Sequence, residues 1–194
     1  SALLIALALD AELVDETHVM RKIVIDGSNT TGFQRTAIIA LGGSIKVHDR
    51  VVPVQTICLE EDAARILGED QSTRKYGLDR LCTPLVEVAL APITDTPQRV
   101  EEVALALGRL MRSTGRVARG LGTIRQDINI SLAGQGVIEV KGVQKLNLLA
   151  KVIEFEVKRQ LGLLKVSAEL QKKGVGAEDI STPCLLYTSD AADE

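Results

Sequence analysis

Short runs of apolar residues, many of them β-branched, fill much of the first half of the chain and are separated by turn-forming residues. Runs of this length and composition predict strands. The expected strands cover residues 21–27, 35–41, 45–47, 51–59, 78–82 and 85–90. A turn at 48–50 joins the third and fourth of them in the manner of a hairpin.

Apolar residues at helical spacing predict helices in other segments. Residues 1–9 are expected to belong to a helix. The acidic triplet at 60–62 predicts a short helix through residue 67, because negative charge stabilises a helix N-terminus. Thr96 and Pro97 have the residue types of a helix cap and a first helical position, and this helix is expected to end near Gly115.

The last third of the chain is expected to be mainly helical. A hairpin of residues 123–132 and 136–140, turning at 133–135, precedes a long helix from about residue 144 and a second helix at 163–173. Strands therefore cluster first and helices last, which is typical of the α+β class. We expect a mostly antiparallel sheet with flanking helices and a helical C-terminal part.

Composition narrows the function classes. The 194 residues are 45% apolar, enough for one domain with a sizeable core. A net charge of −3 gives no general attraction for nucleic acid, and an aromatic content of 2% argues against a module that stacks unpaired bases. No apolar run is long enough to cross a membrane. Cys58 and Cys82 are expected to be reduced core thiols of a cytosolic protein, and His18 and His48 to be solvent-exposed residues without a role.

Two carboxylates stand out as candidates for chemistry. Glu87 lies inside the apolar strand 85–90, and Glu60 ends the apolar run before it. A charge in an apolar strand is costly unless it is paired, neutralised or bound to a cation. The alternative is that strand alternation directs Glu87 to solvent. Two hard oxygen donors of this kind would suit Mg²⁺ held beside substrate phosphates.

A basic segment rich in glycine is the second candidate. Five arginines crowd around residues 119–127, namely Arg109, Arg112, Arg116, Arg119 and Arg125. Glycines allow backbone amides to approach an anion, and guanidinium groups match phosphate oxygens. The alternative is a solvated helix end. On the predicted strand, Arg125, Asp127 and Asn129 share one face, as Glu139 and Lys141 would on its partner.

Several segments together resemble a known family. They include Asp26-Gly27-Ser28-Asn29-Thr30, Gly32-Phe33-Gln34-Arg35-Thr36, Leu59-Glu60-Glu61-Asp62-Ala63, Leu78-Asp79-Arg80, Pro84-Leu85-Val86-Glu87 and residues 119–127 and 139–144. In this order and over about residues 1–180, the chain resembles the B/E family of glutamyl-tRNA(Gln) amidotransferase subunits. The segments 27–36 and 119–127 fit the archaeal E type better than the bacterial B type.

The resemblance implies an ATP- and Mg²⁺-dependent ligase of the cytoplasm. ATP would phosphorylate the γ-carboxylate of glutamate carried on tRNA(Gln), and ammonia from an asparaginase-like subunit of the D type would then displace phosphate to give glutaminyl-tRNA. The expected partners are that asparaginase-like protein and glutamyl-tRNA(Gln), with no role for DNA or a membrane. The alternative is an inactive truncated remnant, or a non-catalytic tRNA-binding scaffold of the same fold.

The resemblance also assigns residues by position. Glu60 and Glu87 match the two carboxylates that hold the metal, and Arg125, Asn129, Ser131 and Lys141 fall on segments that line the nucleotide pocket. The family's histidine ligand has no match here, because neither His18 nor His48 lies in a comparable strand.

The two ends of the chain carry expectations of their own. Residues 184–194 read as one frame of a sequencing-library adapter, so we expect a catalytic segment at 1–183 followed by an adapter-derived, disordered tail. Such a segment is expected to be inactive alone. It should also show an exposed apolar surface around residues 1–9.

Overall fold

The computed structural model describes residues 1–120, 122–132, 136–143, 145–176 and 179. The predicted hairpin turn at 133–135 and the predicted adapter-derived tail lie outside these residues. The chain divides into two compact units. The first comprises Ser1–Gln126 and Gly142–Ala150, and the second comprises the described residues of 127–141 and 151–194.

Ten strands and three α-helices make up the described elements. The strands are β1 (Glu12–Leu13), β2 (Val19–Ile23), β3 (Phe33–Leu41), β4 (Ser44–Val47), β5 (Arg50–Glu61), β6 (Arg65–Glu69), β7 (Arg74–Gly77), β8 (Pro84–Leu90), β9 (Ile128–Ile130) and β10 (Ile138–Val140). The helices are α1 (Ala2–Ala8), α2 (Pro97–Ser113) and α3 (Leu149–Lys172), with a single 3₁₀ turn at Leu146–Leu148. The predicted α+β class is confirmed.

A six-stranded antiparallel sheet is the centre of the first unit. Its two long strands, β3 and β5, pair with each other; β3 also pairs with β1 and β2, and β5 with β4 and β8. The antiparallel sheet agrees with the sequence prediction, and the long apolar run of β5 suits a strand with neighbours on both sides. The hairpin of β4 and β5 turns where the sequence predicts it, with His48 at a positive φ of 55°.

One face of this sheet packs against α1 and α2, and we call it the core face. Its central residue, Ile57, is 0% exposed, and Ile5 of α1 and Val103 of α2 belong to the same buried cluster. Alternate residues of β8, Val86 and Val88, pack against this cluster. Burial of these side chains is the main source of stability in the unit.

The opposite face carries a different set of residues, and we call it the site face. Two β-bulges decide which residues reach it. Register shifts occur between Ile38 and Ala40 on β3 and between Val54 and Thr56 on β5. Each bulge adds one residue and reverses the alternation. Val54 and Ile57 therefore both lie on the core face although they are three residues apart.

The smaller hairpin of β6 and β7 anchors the loop that follows β2. The Tyr76 hydroxyl donates a hydrogen bond to the Asp26 carbonyl (2.5 Å), and the Ala64 amide donates to the Ser28 carbonyl (2.8 Å). Ser28 and Asn29 are buried by this arrangement. The loop is thus fixed beside the end of β5.

The second unit contains β9, β10 and most of α3. The two strands pair antiparallel, with Asn129 opposite Glu139. The buried Gln160 side chain donates to the Ile130 carbonyl (3.2 Å), which ties α3 to β9. The predicted hairpin is confirmed but is shorter than expected.

Three element predictions are wrong. The acidic triplet does not begin a helix, because β5 continues through Glu61 and residues 65–69 form β6. Pairing with both β3 and β8 satisfies the backbone of β5 up to its end. The predicted helix at 163–173 is not separate, since α3 runs unbroken through Gly162. A glycine costs a helix interior only about 1 kcal/mol, so a single one need not end it. Residues 78–82 form turns, with Cys82 at a φ of 63°.

Two further sequence predictions concern residues of the first unit. Cys82 is exposed, so its prediction as a core thiol is wrong, and Cys58 is only half-buried. The apolar surface expected near residues 1–9 is present, because Leu3, Leu4 and Leu7 of α1 are exposed while the other side of the helix is buried.

Candidate metal and phosphate site

Strand register places Glu60 and Glu87 on the site face of the sheet. Glu87 of β8 lies opposite Cys58 of β5, and Glu60 lies opposite Leu85. Directly paired residues share a face, as do residues two apart on one strand. The two glutamates are therefore diagonal neighbours on adjacent strands, a separation that long side chains can bridge.

Both carboxylates affect the pKa of the Cys58 thiol. Partial burial raises the pKa of Cys58, and the negative charges of Glu87 and Glu60 raise it further. A charge influences a thiol in this way only when it lies nearby. This agrees with the strand register, in which Glu87 lies opposite Cys58 and Glu60 lies two residues further along β5.

The described residues contain no group of three or more histidine, cysteine, aspartate or glutamate side chains arranged to hold a metal ion. Glu60 and Glu87 are therefore a two-ligand site at most in this part of the chain. Mg²⁺ is commonly held in this way, through one or two carboxylates with water and substrate phosphates as its other ligands. The metal assignment of these two residues stays a prediction.

Asp62 lies just beyond β5 and is the buried member of an ionic cluster with two half-exposed arginines. Its side chain is 12% exposed, accepts a hydrogen bond from Arg125 Nη2 (3.0 Å) and forms an ion pair with Arg80 Nε (3.2 Å). The amide of Ala63 donates a second hydrogen bond to it (3.0 Å). Sequence reasoning singled out Arg125 but assigned no role to Asp62 or Arg80. The available signal was their position in two of the segments that carry the family resemblance.

The neighbouring carboxylate, Glu61, is engaged on the other side of the strand. It forms an ion pair of 2.6 Å with Arg35 of the adjacent strand β3. Its backbone carbonyl accepts a hydrogen bond from the Gln34 amide (2.9 Å). The three acidic residues at 60–62 therefore have three different surroundings, and Glu60 is the one that shares a sheet face with Glu87.

The remaining predicted nucleotide-binding residues lie in the second unit. Asn129, Ser131 and Lys141 are all exposed, and Lys141 forms an ion pair of 3.2 Å with Glu139. Arg125 does not share a strand face with Asn129, because β9 begins at Ile128. The nucleotide assignment of these residues stays a prediction.

His18 and His48 are largely exposed, as predicted, each within 3.8 Å of one glutamate side chain.

None of the helices in the described part of the chain has both the length and the apolar character of a membrane span.

The chain belongs to the GatB/GatE catalytic domain family, whose model matches residues 1–186. It is similar to proteins from three archaea that are named as the E-type subunit of glutamyl-tRNA(Gln) amidotransferase. Identity is 56% over 179 residues with the protein of Aeropyrum pernix, 54% over 182 residues with that of Pyrobaculum islandicum, and 52% over 178 residues with that of Archaeoglobus fulgidus.

These alignments cover nearly all of this chain but only a small part of each relative. They include 92%, 94% and 92% of this chain, but only 28%, 30% and 29% of the respective relatives. The chain thus spans less than a third of the length of these relatives. Nearly all of the chain matches the model of the family's catalytic domain.

Proposed function

We propose that this segment forms part of an ATP-dependent enzyme that converts glutamyl-tRNA(Gln) to glutaminyl-tRNA(Gln). The supporting observation is the placement of Glu60 and Glu87 on one sheet face, in a chain more than half identical to proteins named for that amidotransferase. The reaction has two steps: the γ-carboxylate of the glutamate takes the terminal phosphoryl group of ATP, and ammonia then displaces phosphate.

The acidic pair fits a divalent cation. Glu60 and Glu87 lie on the same face of adjacent strands, and carboxylate oxygens are the ligand type that Mg²⁺ prefers. Glu60 and Glu87 would hold Mg²⁺ through carboxylate oxygens. When bound, the metal supplies positive charge to the phosphate oxygens that gain negative charge during transfer.

The surrounding residues supply rigidity. Glu60 is on a strand paired on both sides, so its backbone is fixed. The Gln34 and Ser28 contacts hold the residues immediately after it. A fixed scaffold keeps charged groups in place during reaction, and this preorganisation is the main protein contribution to phosphoryl transfer.

The partners follow from the same proposal. Ammonia would come from an asparaginase-like partner of the D type, and the substrate would be glutamyl-tRNA(Gln) in the cytoplasm. Asn129, Ser131 and Lys141, with Arg125, would contribute to nucleotide binding. The segment alone is expected to be inactive, since it spans less than a third of its relatives.

Glu87→Gln in the full-length protein tests the proposal. Loss of one carboxylate should reduce ATP-dependent glutaminyl-tRNA formation by about 1000-fold, which corresponds to about 4 kcal/mol of transition-state stabilisation. Product would be measured with radiolabelled glutamyl-tRNA(Gln), ATP and Mg²⁺. Binding of tRNA should stay within about twofold of the unchanged protein, because the substitution leaves the shape of the side chain intact.

Asp79→Asn is a matched control, because it removes a carboxylate from an exposed ion pair with Arg65. Its turnover should be unchanged. Full activity of Glu87→Gln would contradict the metal role. Absence of any ATP-dependent product from the unchanged complex, with tRNA still bound, would instead favour the non-catalytic scaffold.

A further inference from the structure

We propose that Arg80 and Arg125 form a phosphate-binding pair for ATP and that Asp62 is the residue that positions them. This inference rests on the proposed function and names residues of the same site. Its starting point is the ratio of charges around Asp62: two guanidinium groups contact a single carboxylate.

The charge balance favours a further anion. Asp62, Arg80 and Arg125 together carry a net charge of +1, which is the local balance once the cation of the proposed function compensates Glu60 and Glu87. A buried carboxylate needs one cationic partner for compensation, so the second arginine is more than Asp62 requires. A phosphate group would supply the missing negative charge.

The unused donors of the two arginines have the chemistry to bind phosphate. A guanidinium has five N–H groups. Among the described residues, Arg80 uses only its Nε, for Asp62 and the Ala63 carbonyl, and Arg125 uses only one Nη. The two side chains are 41% and 48% exposed, so their remaining N–H groups can reach a ligand. Guanidinium groups bind phosphate through paired hydrogen bonds.

Asp62 holds Arg80 and Arg125 in place. It is 9% exposed, and the Ala63 amide holds its carboxylate from the backbone. Pairing also continues past β5, since Asp62 and residues 82–83 exchange backbone hydrogen bonds of 2.8 and 3.1 Å. A carboxylate held in this way limits the conformations of both arginines before a ligand arrives, which lowers the entropic cost of binding.

The cluster is close to the acidic pair along the chain. Asp62 is two residues beyond Glu60, and two residues of extended chain span at most about 7 Å. A nucleotide triphosphate is longer than this distance. One ligand can therefore contact the arginines with some of its phosphates while its terminal phosphate lies near Glu60.

The test compares Arg80→Ala, Arg80→Lys and Asp62→Asn in the full-length protein assembled with its partner subunits. Asp79→Asn is the control, because it affects an adjacent but exposed ion pair. Turnover is measured against ATP and against tRNA, and binding of tripolyphosphate and of adenosine is measured by calorimetry. Thermal unfolding of each variant is recorded alongside.

Arg80→Ala should raise the KM for ATP and the Kd for tripolyphosphate by about tenfold each, the effect of losing charge-assisted hydrogen bonds. Adenosine binding and the KM for tRNA should not change. Arg80→Lys should recover part of the loss. Asp62→Asn should raise the same two constants while kcat falls by less than about twofold, as expected for a residue that acts through its neighbours.

Two results would overturn the inference. Lower thermal stability with unchanged KM and Kd would show that the cluster is only structural. A raised KM for tRNA with an unchanged KM for ATP would identify the tRNA backbone as the ligand. The tripolyphosphate measurement does not depend on turnover, so it tests the arginine pair even if the unchanged complex makes no glutaminyl-tRNA.

Discussion

The two faces of the six-stranded sheet are formed by the same strands but differ in the polarity and burial of their side chains. The core face is aliphatic, and its central residue Ile57 is fully buried under α1 and α2. The site face carries Cys58, Glu60 and Glu87, which are half-buried or exposed. Substitutions on the first face should change stability, and substitutions on the second should change chemistry.

This division explains how two glutamates can lie within apolar strands. The free-energy cost of a carboxylate in a strand depends on whether its side chain lies on the buried or the solvent-accessible face of the sheet. Val86 and Val88 make the hydrophobic contacts of β8, so Glu87 between them faces away from the core and toward the side where a ligand can bind.

The largest expected effect concerns the acidic pair as a unit. Glu60→Gln should reduce turnover by about 1000-fold, like Glu87→Gln, since either change removes one ligand of the same cation. The double variant should be no worse than the poorer single variant by more than about threefold, because residues that act together are not additive. Steady-state kinetics of the three variants measure this. Independent, multiplying losses would show that the two residues serve separate functions.

The next effect tests the core face. Ile57→Ala should lower the free energy of unfolding by about 3 kcal/mol, because it leaves a cavity under both helices. This corresponds to a Tm lower by roughly 6–12 °C in thermal unfolding. Ile57→Val should cost only about 1 kcal/mol. At temperatures where the variants are folded, kcat should be unchanged; a large fall in kcat would remove the distinction between the faces.

The smallest effect uses Cys58 as a reporter on the site face. Burial, Glu87 and Glu60 raise its pKa above the usual 9.0, so less thiolate is present at pH 8 and alkylation by iodoacetamide should be slow. Glu87→Gln removes one of these causes and should increase the rate roughly twofold at about pH 8. Mass spectrometry of the labelled peptide measures the rate. An unchanged rate would place Glu87 too far from Cys58 for the proposed geometry.

The sequence predicts the sheet better than the ends of its strands. The apolar runs of β3, β5 and β8 and the cap at Thr96 identify most of the elements correctly. The error at residues 60–67 has a physical cause: the triplet that resembles a helix start consists of three carboxylates with separate surroundings at the end of a strand. Local charge patterns could not show that Asp62 contacts Arg125, which lies 63 residues further along the chain.

The acidic residues were predictable, and the family resemblance implied that they share one site, but the local sequence pattern alone did not show their common face. Glu87 is conspicuous in an apolar strand, whereas the position of Glu60 depends on pairing between strands. Arg80 and Asp62 were not identified as a pair because neither is unusual in its local sequence. Only tertiary contacts reveal that one carboxylate serves two arginines.

The bulge at residues 54–56 of β5 has a consequence for how this gene segment can vary in length. Removing Gln55 would restore strict alternation and turn Cys58 and Glu60 toward the helices while Ile57 faced away from them. Deletion of this one codon would therefore exchange the residues of β5 that lie on the core face and on the site face. Insertions or deletions in β5 would be tolerated only when they keep each side chain on its present face. The presence of a residue at position 55 therefore matters more than the side chain that it carries.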